Sequence, residues 1–264
     1  MSFAPVLPAG GLAGWRFLQG AGGTMRAAHA ASPAVARPAD AFERVAPAAW
    51  TSAAITGDRQ VRIVALTAFG LAQDADNRAF VDRILAEGAG APGALANRMG
   101  DGRYRALAEG FGFDGAVPRT RDPEQVAAIR ARYEAQAFEA AIGGTHPDIR
   151  LALSMERELT DLAGRSLSNE GKWFTVLGTP PLRAVFEGAL GLPASVGTLD
   201  VDRQREIFGQ AARRALGTDD LSRFAEAGAR DALAERFLVR GAALSGPSPT
   251  APGAVALSIL SGLA

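Results

Sequence analysis

The sequence predicts a mainly α protein, a compact multi-helix bundle of short helices that end at glycine. Apolar residues recur at helical spacing in one stretch after another, glycine follows the last of them, and strict apolar–polar alternation over a strand's length is nearly absent. The composition agrees. The 264 residues include 56 Ala and 27 Arg. Ala has the strongest helix propensity, and Arg, Leu and Glu follow closely. The 31 Gly and 15 Pro supply the punctuation.

The elements follow in order. From Asp58, Val61, Val64, Ala65, Ala68 and Phe69 form one stripe, stopped by Gly70. Phe80, Val81, Ile84 and Leu85 form a second, closed by Gly88, and Tyr104, Leu107, Ala108 and Phe111 a third, closed by Gly112. Asp122-Pro123 pairs an N-cap with proline at the first helical position. The stripe that follows carries Val126, Ile129, Tyr133, Ala137, Phe138 and Ile142, with Gly143 as its stop. Pro147 opens a helix burying Ile149, Ala152, Leu153, Leu159 and Leu162. Thr179-Pro180 starts one with Leu182, Val185, Phe186, Ala189 and Leu190, ended by Gly191. Asp200 caps one with Ile207, Phe208, Ala211, Ala215 and Leu216, ended by Gly217. Leu233, Phe237 and Leu238 mark the last, with Gly241 as the expected stop. The style repeats in two halves, 32–143 and 147–244. Either the halves are duplicated or helices ending in Gly-Leu simply look alike.

Both ends differ from this body. Residues 1–31 are Gly-rich yet carry Leu7, Leu12, Trp15, Phe17 and Leu18, too many large apolar groups for a free tail. They pack on the body or await a partner. Residues 245–264 read as a Ser/Gly/Pro linker followed by an apolar tail with Val255, Leu257, Ile259, Leu260 and Leu263, which docks in cis or in trans. The first positive charge, Arg16, follows the apolar N-terminal stretch, the reverse of a cleaved signal peptide. No run is long enough to span a membrane. The expected location is cytoplasmic, with export by a route that needs no cleaved signal left open.

Chemistry is thinly represented. Lys+Arg and Asp+Glu each number 28, so the basic excess of a nucleic-acid-binding domain is missing. Without Cys there are no disulfides, no thiolate ligands and no thiol catalysis. Two Gly-x-Gly-x-x-Gly matches, Gly88/Gly90/Gly93 and Gly110/Gly112/Gly115, each follow a helix rather than a strand, so no dinucleotide site is expected. Gly171-Lys172 is followed by Trp173, not by the hydroxyl of a phosphate-binding loop. His146, before Pro147, reads as a turn or capping residue rather than a metal ligand. Glu156, Glu158 and Asp161 read as a solvated face beside Arg157 and Arg165. The expectation is no cofactor, no metal and no catalytic residue.

Lys172 to Leu182 is the most distinctive segment, with the only Lys, one of three Trp and a Pro pair. Trp173 is either a core residue at a helix–helix junction or an aromatic anchor for a partner.

That segment and four others carry a resemblance. Pro5 to Trp15, Ala68 to Leu71, Leu95 to Met99 with Arg103-Tyr104, Leu151 to Leu153 and Lys172 to Leu192 occur in one order along nearly the whole chain. The ordered set resembles the alphaproteobacterial domain of unknown function twelve-seventeen, often labelled flagellar protein. The resemblance implies a helical protein linked to motility, and carries no catalytic residues. The expected function is therefore a non-enzymatic structural or assembly protein of the flagellum, binding protein partners through Leu12, Trp15, Phe17, Leu18, Trp173, Val255, Leu257 and Leu260. The alternative is a cytoplasmic regulator or chaperone of flagellar assembly. The oligomeric state is not legible.

Overall fold

The computed structural model describes residues 3–245, and within them every regular element is an α-helix or a short 3₁₀ turn. The helices fall into two units. Of the described residues, the first unit takes Phe17–Thr145 with the short pieces 3–7 and 178–180. The second takes Pro8–Arg16, His146–Leu177 and residues 181–245.

The Gly-rich N-terminal segment is a helix, α1 (Gly11–Ala30), whose residues 11–16 belong to the second unit and 17–30 to the first. Its glycines give poor local propensity, so tertiary burial of Trp15 and Leu18 is what favours it. The Asp148 carboxylate accepts from the N–H of Gly11 at 3.1 Å, placing a negative charge on the positive end of the helix.

The first unit continues with α2 (Pro33–Val45), α3 (Ser52–Gly57), α4 (Arg59–Ala68), α5 (Arg78–Glu87), α6 (Leu95–Arg98), α7 (Gly102–Phe111) and α8 (Pro123–Gly143). Helix α4 is its centre, with α2, α3 and α8 packed around it. Asp58 and Asp122 cap as the sequence predicts. Asp58 accepts from the N–H of Gln60 and of Val61 at 2.7 and 3.2 Å, and Asp122 accepts from that of Glu124 at 2.9 Å. Removing such a cap costs about 1 kcal/mol. Phe111, fully buried at the end of α7, meets Phe42 edge-on at 6.2 Å and lies 6.3 Å from Phe69 and 6.0 Å from Phe113. Gly112 then turns the chain at φ 61°, a left-handed conformation that costs a residue with a Cβ about 1–2 kcal/mol.

The second unit comprises α9 (Pro147–Ala163), α10 (Asn169–Gly178), α11 (Pro180–Leu190), α12 (Val201–Leu216) and α13 (Ala227–Ser245), apart from residues 178–180. Helix α9 packs on α13 and on the 3₁₀ turn Leu221–Ala225. Its aromatic core joins Trp173 to Phe186 at 5.3 Å and to Phe208 at 6.2 Å, and Phe186 to Phe224 at 5.8 Å.

Many of the arginines have a structural task. The last carbonyls of a helix lack intrahelical partners and carry the negative end of its dipole. Arg103 donates to Gly70 O after α4, Arg119 to Glu109 O in α7, and Arg236 and Arg240 to Ala189 O and Gly188 O at the end of α11. Lys172 does the same for Ala163 O, the last residue of α9.

One expected stop is corrected. α8 ends at Gly143 as expected, whereas α13 runs through Gly241 to Ser245. An interior glycine costs a helix only about 1 kcal/mol, and Gly241 is followed by Ala242-Ala243-Leu244, all strong helix formers. The linker and apolar tail expected after Ser245 lie outside the described residues.

Candidate functional site

Of the residues singled out from the sequence, three of those that are described are buried. Trp15 is 1% exposed, with Nε1 donating to Asp231 Oδ1 at 2.6 Å, and Leu18 is equally buried. Trp173 is 2% exposed. The chain itself already covers these three side chains. Leu12 is half-buried and Phe17 is 41% exposed, both on α1. Val255, Leu257 and Leu260 lie outside the described residues.

The polar groups around Trp173 tie one junction together. Trp173 Nε1 and Asn169 Nδ2 both donate to Asp219 O, at 2.9 and 3.0 Å, and Asn169 Oδ1 accepts from the N–H of Leu221 at 2.9 Å. The buried Lys172 reaches Ala163 O at 3.0 Å and Ser222 Oγ at 2.8 Å. Lysine and serine at that distance resemble a base and a nucleophile. However, Nζ is already spent on the helix-end carbonyl of Ala163 as well as on the hydroxyl. The N–H of Ser222 is already given to Asp220 Oδ1, so it is not free to steady an oxyanion. The arrangement is a clamp on the 219–222 loop.

The two glycine-rich loops meet each other rather than a phosphate. Asp114, from the second, accepts from the N–H of Ala89 and of Gly90 in the first at 3.1 and 2.7 Å. A Cβ on Gly88 would lie 2.1 Å from Asp114 Cγ, so glycine is needed for this approach. The carboxylate takes the N–H groups that an anion would use.

The acidic face on α9 is partly neutralised, with Glu158 2.7 Å from Arg157. His146 stands at the N-cap position of α9, where its carbonyl accepts from the N–H of Arg150 at 3.1 Å and its side chain makes no cap hydrogen bond. Burial raises the Tyr104 hydroxyl to about 12, helped by its 2.8 Å bond to Asp74. Burial pushes Asp101 up, but bonds from the Arg103 side chain and N–H hold it below the usual carboxylate range. His29 is buried with Nδ1 unpartnered, its ring edge-on to Phe138 at 5.8 Å, and burial lowers its pKa. Among the described residues, no three His, Asp or Glu are grouped to hold a metal ion.

What stands out is a corner of the first unit that the helical stripes did not reveal. The 3₁₀ turn Ala46–Ala48 and the 3₁₀ turn Arg119–Arg121 pack on each other and on α8. Buried Ala46 and Ala49 hold the first turn, and buried Pro118 and Thr120 hold the second. Trp50 emerges beside them 58% exposed, unusual for the largest apolar side chain. The Arg121 guanidinium lies 4.7 Å from its ring centroid and donates Nη1 to Pro47 O at 2.8 Å. No carboxylate among the described residues pairs with Arg121. Val117, just before the second turn, is also 58% exposed. The available sequence signal was an aromatic that fits no helical stripe, flanked by Pro47 and, across the fold, by Pro118.

Fold and corner together define an all-helical protein that presents an aromatic and a guanidinium, locked to each other, on its surface. The chain belongs to the family described as "Protein of unknown function (DUF1217)", which matches residues 68–228. The X-ray crystal structure of a protein from Agrobacterium tumefaciens is similar to it with a TM-score of 0.72. That match has 22% sequence identity and covers 90% of this chain and 97% of that one. At this identity the likeness is one of fold. No curated protein matches the chain.

Proposed function

We propose that this protein is a non-enzymatic, flagellum-associated structural or assembly component that acts through protein–protein contacts. The observation that carries the contact reading is the Trp50–Arg121 corner, because exposed tryptophan and arginine are the residue types that dominate binding hot spots. The flagellar part rests on the label of the family that the sequence resembles. Among the described residues no helix is long and apolar enough to cross a membrane, which is compatible with export through the flagellar channel or with a cytoplasmic role.

The test is deletion and fractionation in a motile host. Deletion is expected to reduce swarming. A tagged copy is expected in basal-body or supernatant fractions only when the flagellar export gate works. A strictly cytoplasmic protein whose loss still reduces swarming would move the reading to the regulator or chaperone. Normal swarming after deletion would overturn the flagellar reading.

A further inference from the structure

We infer that the Trp50–Arg121 corner docks a protein segment carrying an Asp or Glu carboxylate next to a large apolar side chain. This deepens the contact reading above and rests on it. The guanidinium is held on one side by the Trp50 ring and on another by Pro47 O. Its remaining N–H groups are pre-oriented, and a planar fork of such donors matches a carboxylate in a bidentate pair. Pre-orientation cuts the entropy normally lost on fixing an arginine, so the pair retains more of its gross energy. The open face of Trp50 and the exposed Val117 supply the apolar half of the recognition.

Charge decides among occupants. A second copy of the chain meeting this corner about a two-fold axis would set Arg121 against Arg121, which repels. An anionic membrane needs several uncompensated cations. Here Arg119 is engaged at Glu109 O, and Glu43, Asp122 and Glu124 are exposed on the flanking helices or their caps. One unpaired guanidinium beside one aromatic suits one carboxylate beside one apolar group.

The probe is a random 12-residue peptide library panned against the purified full chain. Enriched peptides are expected to share an Asp or Glu within two positions of an aromatic, Leu or Ile. For a synthetic copy of the best peptide, Trp50→Ala and Arg121→Gln are each expected to weaken binding at least about tenfold. Arg121→Lys should recover only part of the loss, because an ammonium keeps the charge without the fork. Both sites are at the surface, and unchanged circular dichroism and melting establish that the variants fold. Four results would overturn the inference: no enrichment, enriched peptides without acidic residues, binding indifferent to both substitutions, or Trp50-dependent sedimentation with phosphatidylglycerol vesicles in place of peptide binding. Failure of the library with swarming still lost on deletion would sink the corner and leave the flagellar reading intact. Peptide binding with normal swarming would do the reverse.

Discussion

Trp173→Ala removes one of the two buried tryptophans of the second unit, where it meets Phe186 and Phe208. Truncating a buried aromatic to Ala costs about 3–5 kcal/mol, from lost transfer free energy and the cavity left behind. Trp173→Phe keeps most of that packing and loses the indole N–H. The N–H donates to Asp219 O, which Asn169 Nδ2 also serves at 3.0 Å, so the carbonyl is not orphaned. The expected cost of Trp173→Phe is therefore that of an ordinary hydrogen bond plus a small void, about 1–2 kcal/mol. Asn169→Ala frees the buried N–H of Leu221 and costs about 1–3 kcal/mol by itself. Combining it with Trp173→Phe strips both donors from Asp219 O. The pair should exceed the sum of the single effects by about 1 kcal/mol. Urea unfolding followed by far-ultraviolet circular dichroism measures each value from the midpoint at constant slope. Where two steps resolve, only one should move. If Trp173→Phe costs as much as Trp173→Ala, or the double mutant is additive, the reasoning about shared donors on Asp219 fails.

Two further outcomes are expected. Gly112→Ala and Gly217→Ala both force a Cβ onto a left-handed residue, φ 61° and 76°. At Gly112 that Cβ would also lie 2.7 Å from Arg119 Cγ, whereas at Gly217 it meets open space. Gly112→Ala should therefore cost more than the roughly 1 kcal/mol of Gly217→Ala, and equal midpoint shifts in urea would contradict this. His29 is expected to make stability depend on pH. Burial lowers its folded pKa below the ordinary 6.5, so as the pH falls through 6.5 the unfolded chain takes the proton first. Stability present above that value is lost below it. Unfolding at pH 7.5 and 5.5 should show the loss in the parent and a smaller one in His29→Gln, and identical slopes would remove His29 as the cause.

Much of the fold was legible because local chemistry and tertiary packing agree. Asp58, Asp122 and Asp200 cap as their side chains predict. Gly70, Gly88, Gly112, Gly191 and Gly217 all take positive φ where the stripes end. The failures come from burial overriding propensity. The glycines of α1 argue against a helix, and only distant partners such as Asp231 and Asp148 reveal why it forms. The corner was illegible for a related reason. Trp50 and Arg121 are far apart in sequence and sit in turns, so no periodicity links them. The large aromatics of the N-terminal helix and of the Lys172 segment drew notice instead, and two of them, Trp15 and Trp173, are buried.

Lys172 gives the protein a built-in chemical reporter. It is the single lysine in 264 residues; the residue is 4% exposed, and its amine is bonded to Ala163 O and Ser222 Oγ. An acylating reagent reaches that side chain only while the junction of α9, α10 and the 219–222 loop is open. The rate at which it is modified under native conditions therefore measures local opening at that one place. Arginine does the same capping elsewhere but is inert to such reagents, so the signal has no competing side-chain amine.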